Sequence, residues 1–79
     1  MRLDKYLKNS RLIKRRTVAK EACEQGKVLV NEKIAKPGTE VKVNDVVTMM
    51  FGQRTVKIKI TSMLEHATKE NAKDMYEEM

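Results

Sequence analysis

Residues 15–31, RRTVAKEACEQGKVLVN, decide the fold, because the residue period changes half-way along them. The first half is helical: a helix starting near Arg15–Thr17 places Val18, Ala19, Ala22 and Cys23 on one face. Gly26, directly after Gln25, is the residue type that stops a helix in a left-handed conformation. From Lys27 the period drops to two. Lys27-Val28-Leu29-Val30-Asn31 reads as a short strand, and Asn31-Glu32-Lys33 as a turn into Ile34-Ala35. A helix that ends on glycine and passes straight into a hairpin predicts helices first and strands after.

The flanks extend that pattern. Upstream, Leu3, Tyr6 and Leu7 recur at helical spacing, so a first helix is expected from Arg2 to Asn9. Asn9-Ser10 breaks it, and Leu12 and Ile13 form an apolar anchor in the connection. Downstream, Pro37-Gly38 is a turn, Val41 and Val43 alternate, and Asn44-Asp45 turns again. Val46–Phe51 reads as a buried strand with Phe51 in the core. Gly52-Gln53 turns the chain into Val56-Lys57-Ile58-Lys59-Ile60, with the apolar residues inward and both lysines outward. The last stretch predicts a short helix capped by Thr68, with Ala72, Met75, Tyr76 and Met79 on one face. The expected architecture is α+β: two N-terminal helices packed on a small, mostly antiparallel sheet of four to five strands, plus a short C-terminal helix. The expected division is a domain over residues 1–64 and a helical tail over 65–79.

At 79 residues there is room for one small core and no second domain. The chain carries a net charge of +6, which points to a polyanionic partner. The excess is not spread evenly. Residues 1–20 hold eight basic residues against Asp4 alone, whereas residues 21–79 hold nine basic and ten acidic ones. A one-signed cluster on two helices predicts a phosphate-binding face. Arg2, Arg11, Arg15 and Arg16 are the preferred anchors, because a planar guanidinium holds a phosphate with two bonds. Lys5, Lys8, Lys14, Lys20 and Lys27 add mobile point charge. Asp4 has two readings: it complements the helix dipole, or it orients an arginine such as Arg16 or accepts a ribose hydroxyl.

Catalytic readings fail for want of parts. His66 is the one histidine, in a polar link and expected to be an exposed spectator, and Cys23 falls on the apolar face of its helix. The three glycines, Gly26, Gly38 and Gly52, are too scattered for a phosphate-cradling loop. Carboxylates such as Glu21, Glu24, Asp45 and Glu70 suit surface and turn positions. One cysteine and no C-x-x-C pair predict an intracellular protein without disulfide, metal or other cofactor. No apolar run suits a signal peptide or a membrane span, so a membrane partner is not expected. Three aromatic residues, Tyr6, Phe51 and Tyr76, are too few for a base-stacking platform. The chain is expected to bind rather than to catalyse.

The run from Arg15 to Asn31 resembles the S4 RNA-binding domain family, whose pattern Arg16, Thr17, Ala19, Gly26, Val28, Val30 and Asn31 match. The opening Met1-Arg2-Leu3-Asp4-Lys5-Tyr6-Leu7 resembles the same family, so the likeness covers roughly residues 1–50, and Arg2, Asp4, Lys5 and Arg16 fall on its motif positions. Three positions depart from it: Glu32 stands where glycine is usual, Asn44-Asp45 replaces a Gly-Asp turn, and Arg15 takes the place of a small residue, adding charge where RNA is expected. Within the family the chain is similar to the small stand-alone factors of bacterial ribosome-associated quality control, and to their relatives, the ribosome-binding heat-shock proteins. That similarity implies a cytoplasmic, ribosome-associated protein, monomeric in solution. It implies binding to large-subunit ribosomal RNA and peptidyl-tRNA, and support of C-terminal alanine tailing with an RqcH-like tailing factor. The alternative carried beside it is a ribosome-assembly or RNA-chaperone factor using the same basic face.

Overall fold

The computed structural model describes residues 1–64 and 67–79. Two helices lead, α1 (Leu3–Asn9) and α2 (Arg16–Glu24). Four strands follow, β1 (Val28–Val30), β2 (Lys33–Ile34), β3 (Val46–Phe51) and β4 (Arg54–Ile60). A 3-10 turn (Ala72–Met75) then leads into a last strand, β5 (Tyr76–Glu78). The sheet order is β2-β1-β3-β4-β5, with every neighbouring pair antiparallel. The α+β architecture of two helices followed by an antiparallel sheet is as expected, and its five strands fall within the expected four to five.

Helix α1 buries Leu3, Tyr6 and Leu7 completely, and α2 buries Ala19, Ala22 and Cys23. Both rest on Val28, Val47, Met49, Ile58 and Ile60 from one face of the sheet. Val18 is the exception on α2, at 46% exposed. It lies a full 100° round the helix from Ala19, beyond the narrow face that a nine-residue helix of alanines and cysteine presents to the core. Phe51 is likewise outside the core, at 40% exposed. Residues 50–55 are all exposed, because the β3–β4 hairpin runs on past the helices that cover the rest of the sheet.

Turn chemistry explains how the chain reverses. After α2 the Gly26 N–H donates to Cys23 O and the Lys27 N–H to Ala22 O, both at 3.0 Å, with Gly26 at φ 72°. This is the Schellman stop that glycine permits. The β1–β2 hairpin closes through two residues, Asn31 at φ 52° and Glu32 at φ 69°, between the paired Val30 and Lys33. Positive φ at both positions is the requirement of a type I′ turn, so Glu32 holds the glycine geometry without being glycine. Asn31 also fastens this turn to the next one. Its Oδ1 accepts from the Val46 N–H at 3.0 Å, and its Nδ2 donates to Asp45 Oδ1 at 3.2 Å. Asp45 is therefore a buried turn carboxylate rather than a surface one. Asn44 takes the left-handed position of that turn at φ 80°. Val41 and Val43 form no strand; Val41 is buried and Val43 exposed, beside an isolated bridge between Arg2 and Glu40.

The tail departs from the expected helix. The 3-10 turn spans four residues, and β5 then pairs with β4 through Ile58–Glu78, Lys59–Glu77 and Ile60–Tyr76. The physical reason is the edge of β4, whose unpaired backbone groups are satisfied by an added strand and not by a helix. A short isolated helix would also be marginal by itself. Thr68 does act locally, accepting from the Asn71 N–H at 3.2 Å while its own N–H donates to Asn71 Oδ1. The tail is locked to the first helix by the Tyr6 hydroxyl, which donates to Met75 O at 2.8 Å in a fully buried setting. Burial, helped by Tyr76, pushes the Tyr6 hydroxyl far above its usual pKa near 10.

Glu32→Gly should relieve left-handed strain of about 1 kcal/mol at one residue. The exposed Lys57–Glu32 contact it removes, at 3.5 Å, is worth little. Part of the gain is lost to the added freedom of the unfolded chain, leaving a rise of roughly 2–6 °C in thermal midpoint. Circular dichroism melts decide it, and a lower midpoint would show that Glu32 is not strained.

Candidate nucleic-acid interface

The electrostatic centre of the basic half is a carboxylate. Asp4 lies in the first turn of α1 with 2% of its surface exposed. Its Oδ1 accepts from the Lys5 N–H at 2.8 Å and meets Arg2 Nε at 3.3 Å. Its Oδ2 accepts from Arg2 Nη2 at 3.3 Å and faces Arg16 Nε at 3.5 Å. One buried acid therefore holds two guanidiniums, each about half exposed, at the start of both helices. Without it two like charges would repel; with it the three groups sum to +1 and present two oriented forks. The structure thus favours the arginine-orienting reading of Asp4, and leaves it too deeply covered to meet a ribose hydroxyl itself.

The start of α1 is set by a distant loop. The Leu3 N–H donates to Thr39 O at 2.8 Å and the Asp4 N–H to Pro37 O at 3.1 Å, satisfying helix-start donors that no side chain caps. The Arg2 guanidinium lies against Gly38 of the same loop, where an added Cβ would stand 3.8 Å from Nη2. The start of α2 is built against its own dipole. Arg15 and Arg16 occupy its cap and first position, no acid lies in its first turn, and no side chain caps it. A helix N-terminus favours negative charge, so two arginines there cost stability and mark a position chosen for something else.

The remaining cations fall into groups that the sequence does not reveal. Lys8, Arg11 and Lys14 line one cleft of about 520 Å³, together with Asn9, Ala67 and Lys69. Arg2 and Lys20 line a shallower hollow of about 590 Å³ with Lys36, beside Glu24, Ile34 and Pro37. Lys5 is half-buried, while Arg15 and Lys27 are exposed before and after α2 and line neither concavity. Lys36 and Lys69 are the residues that reading along the chain passes over. Each is isolated in sequence and joins the basic set only through a tertiary contact.

Cys23 sits in a setting that disfavours the reactive thiolate. It is buried, and its thiol is pushed up to about 11, first by burial and then by the negative charges of Asp4 and Glu24. His66 lies outside the described residues. No helix among the described residues is long and apolar enough to cross a membrane.

This two-helix, five-strand arrangement has a known pattern. The family model of the S4 domain matches residues 1–47, which contain both helices, the β1–β2 hairpin and the Asp4 cluster. The chain belongs to the S4 domain family. The S4 match is joined by relatives over nearly the whole chain. An RQC P-site tRNA stabilizing factor from Halalkalibacterium halodurans is 56% identical over 77 residues, covering 98% of this chain and 88% of that one. One of the same name from Listeria innocua is 58% identical over 76 residues, covering 96% and 83%. The trimeric structure of heat shock protein 15 from Vibrio cholerae superimposes with a TM-score of 0.92 at 31% identity, over 100% of this chain and 81% of that one.

Two expectations follow for this S4 surface. Asp4→Asn raises the net charge by one, so bulk attraction alone would tighten RNA binding. Loss of the carboxylate that orients Arg2 and Arg16 should weaken it instead, and should cost stability by about 1–2 kcal/mol after discounting for the exposed guanidiniums. Filter binding and denaturant melts test both signs, and tighter binding would refute the orienting role. Cys23 should resist iodoacetamide in the folded protein at pH 8 and react once unfolded; rapid labelling of the native state would contradict its burial.

Proposed function

We propose that this protein is a non-catalytic, cytoplasmic RNA-binding factor of ribosome-associated quality control. It binds the large ribosomal subunit that still holds peptidyl-tRNA, contacts ribosomal RNA and the tRNA, and supports C-terminal alanine tailing together with an RqcH-like tailing factor. The observation that carries the reading is the Asp4-held pair Arg2 and Arg16, set at the start of two rigid helices within a +7 segment. The likeness to relatives named RQC P-site tRNA stabilizing factor supports the choice of particle.

The chemistry suits structured RNA. Its deep major groove excludes side chains, so proteins meet it through phosphates and ribose hydroxyls rather than through base edges. Arginines on short helices supply that contact without a loop to order. Arg11, Arg15, Lys5, Lys8, Lys14, Lys20 and Lys27 extend the same role around the two helices, with Asp4 positioning rather than touching. The sheet contributes support. Lys59 lies on it opposite Glu77 of β5 and lines neither of the two basic concavities.

If about five cations each meet one phosphate, log affinity should fall with log salt at a slope of roughly −3.5 to −4.5. Arg16→Ala should weaken binding to purified large subunits with the fold intact, whereas Lys59→Ala should change it little. A slope near zero, or equal losses for both variants, would remove the phosphate-face reading. Sedimentation of tagged protein from cells tests the particle. Co-migration with large subunits carrying peptidyl-tRNA is expected, and accumulation on immature subunits would point to assembly instead.

A further inference from the structure

We propose that Lys69 completes an RNA-backbone cleft with Lys8, Arg11 and Lys14, so that the segment beyond the S4-matched residues is a working part of the interface. This rests on the RNA-binding reading above and adds a site to it. Lys69 lies 22 residues past the end of the family match, in a tail whose net charge is −3 over residues 65–79. Composition alone would therefore assign the tail away from RNA.

Three observations oppose that assignment. First, the acidic strand that ends the tail lies apart from Lys69. Glu77 and Glu78 belong to β5 on the edge of the sheet, whereas Lys69 lines the cleft with three cations of the helical half. No carboxylate lines that cleft among the described residues. Four like charges around one concavity are unfavourable in isolation and become favourable when an anion enters between them.

Second, the wall carrying Lys69 is fastened. Asn9 Nδ2 donates to Leu64 O at 3.1 Å, tying the end of α1 to the segment before it. The reciprocal Thr68–Asn71 bonds, with the Ala72 N–H donating to Thr68 O at 3.0 Å, close a turn around Lys69. The Thr61 hydroxyl donates to Asp74 O at 2.7 Å and holds the far end of that turn.

Third, Arg11 is in a conformation that favours glycine. It sits at φ 62° just after the Ser10 cap of α1, with its N–H donating to Lys8 O at 3.1 Å. Glycine is the residue that ends most helices in this way, and an arginine there holds backbone strain. A strained arginine inside a cationic cleft points from the backbone to a ligand. The occupant that fits is the phosphate–ribose strand of RNA, since the lining offers four cations for its phosphates and, among the described residues, no aromatic ring for stacking.

The test is a salt titration of full-length protein on purified large ribosomal subunits. Lys69→Ala should reduce the magnitude of the log–log slope by about 0.7–0.9, the share of one phosphate contact. Lys73→Ala, an equal charge change on the same tail but outside the cleft, should leave the slope unchanged. Equal effects of the two variants, or none from Lys69→Ala, would overturn the cleft. Running Arg16→Ala alongside separates the failures: if it weakens binding while Lys69→Ala does not, only the cleft is lost, and if neither does, the RNA reading falls as well. Arg11→Gly gives an independent check. It should raise the thermal midpoint while weakening subunit binding, and unchanged binding would place Arg11 outside the contact.

Discussion

The buried carboxylate of Asp4 is the constraint around which the basic half is arranged. It joins Arg2, just ahead of α1, to Arg16, the first residue of α2, and its own N–H is held by the loop at Pro37. The starts of both helices and a loop distant in sequence therefore meet at one residue. Burying an acid is costly unless its oxygens are satisfied, and here each oxygen has at least two partners. The same bonds that make the burial tolerable fix the direction of two arginines. Stability and recognition share one set of atoms at this point.

Elsewhere the two demands separate. Val28, Val47, Met49, Ile58 and Ile60 make a core that needs no charge, and the tail adds Met75 and a fifth strand to it. The helices carry the opposite bias. α2 begins with arginines where its dipole favours acids, and α1 ends on a left-handed arginine where glycine is easier. The usual rule of helix ending is broken at Arg11, inside the cleft, and obeyed at Gly26, which lines the shallower hollow with Arg2, Lys20 and Lys36. The left-handed Arg11 places its side chain in the cleft, whereas the left-handed Glu32 serves the hairpin turn away from it.

Much of the fold was legible along the chain. The change from helical to strand period at Gly26, the turn at Asn31-Glu32-Lys33 and the alternation of Val56, Ile58 and Ile60 are local signals, and each is met in the structure, which adds that the turn is of type I′. The tail was not legible. Ala72, Met75 and Tyr76 fit a helical stripe, yet a strand formed because the open edge of β4 lay beside it. Phe51 and Val18 failed for a related reason: a residue's hydrophobicity does not say how far the covering layer reaches. Of the basic residues, the set concentrated in the first 20 positions was visible from charge alone. Lys36 and Lys69 were not, because each reaches its neighbours through loops that close across the molecule.

By itself, then, the sequence determined the α+β order, the turn positions and the basic character of the two helices, since these depend on residue type and spacing over a few positions. Only the tertiary structure decided that Asp4 lies under two arginines rather than among them. It also decided that the cations divide between a cleft and a shallower hollow, and that a lysine from an acidic tail joins the first of these. Those outcomes depend on which distant backbone groups must be hydrogen-bonded and which apolar faces must be covered. Both are properties of the packed chain, with no local trace in the order of its residues.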